Sequence, residues 1–391
     1  MSVAPLPITA WSAVNALGRS TTEVLDGLDA GRSGLGPSPL PTTMETVVGA
    51  MPGTLEALPS KYAAYDTRLA RIGWSAFAEV SQAVTAAVAR WGSRRVAIVL
   101  GTSTGGLEQT EQAFSNWLST GDVPADYDYE HQHNFAALGE MLALEAGIEG
   151  PVYVVSTACS SSGKVAASAA RLIQSGLVDA VLIGGIDSLA RMTLQGFYSL
   201  GILSSTQCRP FGAERNGINI GEGAALLLVE REAEDAEIIL LGVGESADAY
   251  RMSSPEPSGR GAREAMERAM AQAKIGPGDV DHINAHGTAT KLNDAAEALA
   301  IEALFGDRVP VTSTKGYTGH LLGGAGGTEM VFAIHAIRSG RVPATLGALP
   351  LDPALRIQVA TEALQQPVRR VLSNSFAFGG SNVSVLVGSR S

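Results

Sequence analysis

Along almost the whole chain, short apolar runs alternate with longer stretches whose apolar residues recur at helical spacing. The runs at 94–100, 151–155, 178–184, 224–230, 238–243, 280–285, 309–313, 371–375 and 383–387 are short and rich in aliphatic and β-branched residues, so each predicts a buried strand. Residues 5–14 predict an opening strand with a bend. Helices are predicted over 20–30, 66–90, 261–273, 294–304 and 323–339, and from about Ser160 to a stop at Gly176. In the second of these, Leu69, Ile72, Phe77 and Val80 form the apolar face. Loops are predicted over 42–60, over the polar 130–133, and from Cys208 to Gly223.

This alternation predicts an α/β protein, and the pattern runs twice. Gly101-Thr102-Ser103-Thr104 follows a strand, and so does Gly287-Thr288-Ala289-Thr290. Ser156-Thr157 leads from a strand into a helix that ends at Ser175-Gly176. Ser313-Thr314 leads into one that ends at Ser339-Gly340. The order is the same both times, which predicts two equivalent α/β halves, 1–236 and 237–391, met at the acidic stretch 230–237.

Composition narrows the function. A chain of 391 residues, 45% hydrophobic and 17% charged, can bury one large core or two fused ones. Two cysteines, Cys159 and Cys208, do not make a disulfide framework and fit a reducing, cytoplasmic setting. A net charge of −11 argues against nucleic acid. Residues 1–16 lack a basic segment followed by a long apolar one, so no secretory signal is expected. No apolar run approaches the ~18–20 residues of a membrane span. The glycine-rich turn 101–106 lacks the Gly-Lys-Ser/Thr ending of a phosphate-binding loop. His131 and His133 have no evident third ligand, so no metal site is expected there.

Three turns at strand ends carry chemistry. In Val154-Val155-Ser156-Thr157-Ala158-Cys159-Ser160-Ser161-Ser162-Gly163, the cysteine sits where a strand turns into a helix N-terminus. Free amides and the helix dipole favour a thiolate there, and such sites lower a cysteine pKa from ~8.5 to roughly 3.5–7.5. A small buried cysteine is the plainer reading, and this stretch alone leaves both open. His286 and His320 each stand in a turn rich in Gly and Thr. One such histidine is usually a structural hydrogen-bonder. Two of them with a poised cysteine point to catalysis beyond the strand ends.

At these residues the chain resembles the elongating β-ketoacyl-acyl carrier protein synthases, condensing enzymes of the thiolase superfamily. The motifs are Thr157-Ala158-Cys159-Ser160-Ser161, Arg209-Pro210-Phe211, Gly221-Glu222-Gly223, Asn284-Ala285-His286-Gly287-Thr288, Lys315 through Gly323, and Asn374 through Asn382. They occur in the family's order and span nearly the whole chain. The resemblance implies a thiolase-like fold of duplicated βαβ-type halves in α-β-α-β-α layers. It implies that Cys159 takes an acyl chain from an acyl carrier protein, and that malonyl-acyl carrier protein then loses carbon dioxide and is acylated. His286 and His320 would hydrogen-bond the malonyl thioester oxygen, and the amides of Cys159 and Phe378 would form the oxyanion hole. Lys315 and Glu329 match a family pair that holds charge and geometry around the histidines. Thr288 and Thr290 match positions that hydrogen-bond the phosphopantetheine arm, although capping the next helix explains them too. Thr104, Phe197, Phe376 and Phe378 complete the implied substrate contacts. Neither a metal nor a redox cofactor is implied.

The departures carry information. Ala377 stands where the family commonly has Gly between the phenylalanines of a gating loop. Thr104 stands where fatty-acid enzymes place an apolar residue, and a buried hydroxyl argues against a long saturated tail. Lys291 replaces a residue that is often Pro. Tyr65-Asp66-Thr67-Arg68 and Cys159-Ser160-Ser161-Ser162 look more like synthases of polyene or pigment pathways, aryl polyenes among them. An acidic carrier protein requires a basic patch, for which Lys61, Arg68, Arg71, Arg209 and Arg215 are candidates. The family implies a homodimer, with a heterodimer containing an inactive homologue as the alternative. A non-catalytic partner subunit is disfavoured, because Cys159, His286, His320 and Lys315 are all present. A coenzyme A-dependent thiolase is disfavoured because 376–382 holds no second cysteine.

Overall fold

Ten strands carry the architecture of the computed structural model, which describes residues 5–390. Residues 1–4, which open the stretch 1–16 read above for a secretory signal, and residue 391 lie outside the described residues. The first five strands are β1 (Leu6–Asn15), β2 (Val96–Gly101), β3 (Val152–Val155), β4 (Ala180–Asp187) and β5 (Gly223–Glu230). The second five are β6 (Ile238–Ala247), β7 (His282–Asn284), β8 (Val311–Thr312), β9 (Arg370–Ala377) and β10 (Ser381–Ser389). The first set is ordered β3-β2-β4-β5-β1 and the second β8-β7-β9-β10-β6. Adding five to each label of the first set gives the second. The directions also repeat: β2 is parallel to β3 and β4, β7 is parallel to β8 and β9, and the remaining pairs within each set are antiparallel. β1 and β6 pair antiparallel over Leu6–Ile8, so the two sets form one continuous ladder.

The helices are α1 (Thr21–Asp29), α2 (Arg68–Trp91), α3 (Leu107–Thr120), α4 (Ala137–Ala146), α5 (Ser161–Gln174), α6 (Arg191–Ser199), α7 (Arg260–Ala273), α8 (Lys291–Phe305) and α9 (Ala325–Ser339). α5 and α9 touch each other and strands of both sets, so they form the middle layer. α2 and α4 cover one set of strands, and α7, backed by α8, covers the other. The hydrophobic core divides accordingly. One cluster surrounds α5 and α9, one lies beneath α2, and one beneath α7 and α8. Every residue of β4 and β5 is buried, as expected of strands covered on both faces.

Small residues let the two middle helices meet at their N-termini. The Ser162 hydroxyl on α5 accepts the Gly327 N–H of α9 at 2.9 Å. A Cβ on Gly326 would come within 2.8 Å of the Gly163 amide nitrogen, and one on Gly163 within 2.6 Å of Val383. Both glycines are therefore required by close approach rather than by backbone angle.

The predicted elements appear with shifted ends, and two regions differ. The stretch 107–146, where only a loop over 130–133 was predicted, holds α3 and α4. α3 buries only Ala113 and leaves Phe114, Trp117 and Leu118 exposed, so its apolar spacing faces no core. α6 was likewise hidden, with Leu194 its one buried residue. The polar 130–133 stretch lies largely in a single helical turn, Tyr129–Gln132, capped by Asp128. His131 Nδ1 lies 2.5 Å from that aspartate and His133 Nδ1 2.5 Å from the Thr110 hydroxyl. Among the described residues, no helix is long and apolar enough to cross a membrane.

Substituting Gly326→Ala is expected to overpack the α5–α9 contact and to cost about 1–3 kcal/mol. A lowered urea midpoint with unchanged slope would show this; an unchanged midpoint would mean that the helices part without cost.

Candidate active site

Cys159 follows β3 and precedes α5, at the end of a tight turn. Ala158 has φ +52°, a conformation that costs a non-glycine residue energy. Hydroxyls hold the turn: Thr157 N donates to Ser161 Oγ at 2.9 Å, and Ser160 Oγ donates to Thr157 O at 2.8 Å. His286 follows β7. Its amide and that of Gly287 each donate to Glu297 on α8 at 2.8 Å. His320 lies between β8 and α9, the same place in the second half that Cys159 holds in the first.

These three turns converge. The Cys159 sulfur and a ring nitrogen of each histidine lie within 4.8 Å of one another. The rings of His286 and His320 meet edge to face, with centroids 5.2 Å apart. All three residues are buried and line a cavity of about 410 Å³. His320 Nδ1 accepts the Leu322 N–H at 3.2 Å, so the neutral ring carries its proton on Nε2. That Nε2 has no partner among the described residues, and neither has His286 Nδ1. The amides of Cys159 and Phe378 donate to no backbone acceptor among the described residues. Three such ligand atoms would also suit a soft metal ion, but only after Cys159 loses its proton.

Thr288, Thr290, Phe197, Phe376 and Phe378 line the same cavity. The two threonine hydroxyls lie 2.9 Å apart, and Thr290 also caps α8 by accepting the Asn293 N–H. Phe197 and Phe378 face each other at 6.0 Å. The loop of Phe378 turns through Gly379 and Gly380, both at positive φ, and Gly379 N donates to Met252 O at 2.6 Å. Ala377 sits before that turn, paired with Ser381. Lys315 Nζ donates to Glu329 Oε1 at 2.7 Å, with both side chains buried.

Two expectations need correction. Thr104 does not line the cavity. Its hydroxyl donates to Asp187 Oδ1 at 2.7 Å, so the buried group has its partner, and the argument from it against a long saturated chain falls. The five candidate basic residues are not a free patch. Lys61 pairs with Glu145 at 2.5 Å, Arg71 with Asp66 at 2.6 Å, and buried Arg215 with Asp352 at 2.6 Å. Arg68 pairs with Glu222, and Arg209 with Glu214. The sequence reading also missed the acids that hold the turns. Glu297 fixes the His286 turn, and Asp294 accepts the amides of Phe211 and Ala289 at 2.8 and 3.1 Å. Their signal was an acid spacing that places both on the buried face of α8.

Comparison with known proteins now places the chain. Residues 4–235 match the family model "Beta-ketoacyl synthase, N-terminal domain", and residues 238–348 match "Beta-ketoacyl synthase, C-terminal domain". The chain belongs to the β-ketoacyl synthase family. It is 32% identical over 391 residues to Nodulation protein E of Rhizobium meliloti (strain 1021), covering 96% of each chain. It is 34% identical over 309 residues to 3-oxoacyl-[acyl-carrier-protein] synthase 2 of Staphylococcus aureus (strain COL), covering 75% of this chain and 74% of that one. Among solved structures it resembles a ketosynthase (ApeO) in complex with its chain length factor (ApeC) from Xenorhabdus doucetiae. There the TM-score is 0.92 and the identity 38%, covering 99% and 98% of the two chains. The ishigamide ketosynthase/chain length factor gives a TM-score of 0.91 at 27% identity, covering 99% of each. The protein is an elongating condensing enzyme, an acyltransferase with the thiolase-like fold.

The charge state of this β-ketoacyl synthase departs from the expectation of a thiolate. Burial pushes the Cys159 thiol up to about 12, with Lys315 pulling the other way and Asp187 and Glu329 opposing Lys315. The turn uses two of the amides that would have helped: Ser160 N donates to Thr157 O and Ser161 N to Ala158 O. Burial first, then Lys315, holds both histidines well below their usual pKa. The resting site is therefore a thiol facing two neutral imidazoles. Alkylation of Cys159 by iodoacetamide, followed by intact mass, is expected to rise about tenfold per pH unit from pH 6 to 10. A plateau near pH 7 would show that the helix terminus outweighs burial.

Proposed function

We propose that Cys159 is the acyl-accepting nucleophile of this synthase, and that His286 and His320 are the donors that drive decarboxylation. The convergence of one sulfur and two imidazoles within 4.8 Å, at the wall of a cavity large enough for a thioester arm, carries this reading. In the first step Cys159 attacks an acyl thioester. The Cys159 proton ends on the departing carrier thiol, so the exchange is neutral overall. In the second step a malonyl thioester loses carbon dioxide, and negative charge grows on its thioester oxygen. Neutral rings with N–H groups already desolvated stabilise that oxygen without first surrendering water. The resulting carbanion attacks the acyl carbonyl, the amides of Cys159 and Phe378 receive its oxygen, and Cys159 leaves as a thiolate that is reprotonated. Burial keeps the imidazoles unprotonated, and Lys315, held in place by Glu329, adds to the effect. Thr288 and Thr290 offer hydroxyls to the amides of a phosphopantetheine arm. Neither a metal nor a redox cofactor enters these steps.

The carrier we propose is an acidic acyl carrier protein. Lys291 supports it: the residue is exposed, lines the cavity, and has no carboxylate within 4.0 Å among the described residues. The proposed location is cytoplasmic, in keeping with two free cysteines. A partner subunit would cover the edge of β3, which among the described residues pairs only with β2, and the exposed Phe114, Trp117 and Leu118 of α3. The likeness to two ketosynthases described with chain length factors favours an inactive homologue over a second copy. A polyene-type pathway, rather than housekeeping fatty-acid synthesis, is proposed from the stretches Tyr65-Asp66-Thr67-Arg68 and Cys159-Ser160-Ser161-Ser162.

Intact mass after mixing with a panel of acyl-acyl carrier proteins is expected to show an acyl adduct on the wild type and none on Cys159→Ala. Preferential loading of unsaturated or aryl chains supports the polyene assignment, and rapid loading of saturated chains removes it. Lys291→Ala is expected to raise KM for acyl-acyl carrier protein about three- to tenfold at low salt. It is expected to leave loading from a neutral N-acetylcysteamine thioester unchanged, and equal loss on both donors would refute carrier recognition by Lys291.

A further inference from the structure

At the end of β4, Asp187 is fully buried and has no part in the reaction described above. Its Oδ1 accepts the Thr102 hydroxyl at 2.7 Å, the Thr104 hydroxyl at 2.7 Å, and the amides of Ser103 and Thr104 at 3.0 and 2.9 Å. Its Oδ2 accepts the Ser103 amide at 3.1 Å and the Gly323 amide at 2.6 Å. Amides only donate, and they reach both oxygens, so the bonding pattern is that of a carboxylate. A buried charge is retained only where such bonds hold it.

The partners come from both halves. Thr102, Ser103 and Thr104 follow β2, whereas Gly323 belongs to the turn that carries His320 into α9. The next amide back along that turn, Leu322 N, is the donor that fixes the His320 tautomer. Leu322 has φ +51°, so the turn is strained and needs an external hold. The contact leaves no slack: a Cβ on Gly323 would lie 2.8 Å from Asp187 Oδ2 and 2.7 Å from Ser103 N.

We propose that Asp187 is the positioning residue for His320. Through Gly323 it clamps the strained turn whose Leu322 amide keeps the His320 proton on Nε2, aimed at the malonyl thioester. The inference rests on the reading of His320 as a decarboxylation donor. Asp187 also contributes negative charge beside Cys159, where Lys315, Glu329, His286 and His320 are the other titratable neighbours.

The test separates the half-reactions in Asp187→Asn. Carbon dioxide release from malonyl-acyl carrier protein is expected to fall about tenfold or more through kcat, with KM little changed. Acyl loading of Cys159, measured by intact mass on the same preparation, is expected to stay within about threefold, which also reports that the variant is folded. The alkylation profile of Cys159 is expected to move to lower pH, because a negative neighbour is gone. Equal loss of loading and of carbon dioxide release would overturn the proposal, and so would unimpaired release. If Asp187→Asn does not fold, Thr102→Val removes one donor to the clamp and is expected to show the same split at about threefold; no split overturns the proposal. His320→Ala is the control: release at the wild-type rate would sink the reading of His320 itself, and Asp187's role with it.

Discussion

The whole arrangement depends on how closely α5 and α9 approach at their N-termini. Cys159 and His320 precede these helices, and each is set by the start of its own. Glycine at 163 and 326, with a hydroxyl-to-amide bond between Ser162 and Gly327, brings the two starts into contact. A larger residue at Gly326 would press on the Gly163 amide and move the sulfur away from the imidazole. The strands on either side serve that contact, since β4, β5, β9 and β10 pack directly on the middle helices.

Dryness then decides the chemistry. A cysteine at a helix terminus in water would ionise readily. Here burial raises the thiol while it lowers the imidazoles, and the buried Lys315 adds to the second effect. The synthase gives up a standing thiolate and gains two hydrogen-bond donors that remain neutral at any physiological pH. For a reaction whose hard moment is an enolate oxygen, fixed donors serve better than a charged ring that would bind the malonyl carboxylate instead.

Most strands and the long core helices were legible in the sequence, because β4, β5, α2 and α5 bury continuous or periodic apolar positions. α3 and α6 were not, since their apolar residues face outward. Cys159, His286 and His320 could be singled out from the turns around them, but not the acids behind those turns. Asp187 and Asp294 look like ordinary acids until the fold brings backbone amides to them from distant segments, and Glu297 until the turn before its own helix folds back onto it. Thr104 misled for the same reason: its hydroxyl is polar in the sequence and already satisfied in the structure. The five cations misled too, because charge can be counted in a sequence while pairing cannot.

The repeated strand order has a consequence for the centre of the site. The turn after β3 bears Cys159, the proposed nucleophile, and the turn after β8, its counterpart, bears His320, the proposed hydrogen-bond donor. A single half joined to an identical copy would present the same residue from both turns, two sulfurs or two imidazoles. Covalent linkage of two halves that share a strand order but not a sequence lets one turn present a sulfur and its counterpart an imidazole. The asymmetry at the centre of the scaffold lies in the side chains, and the backbone around them repeats.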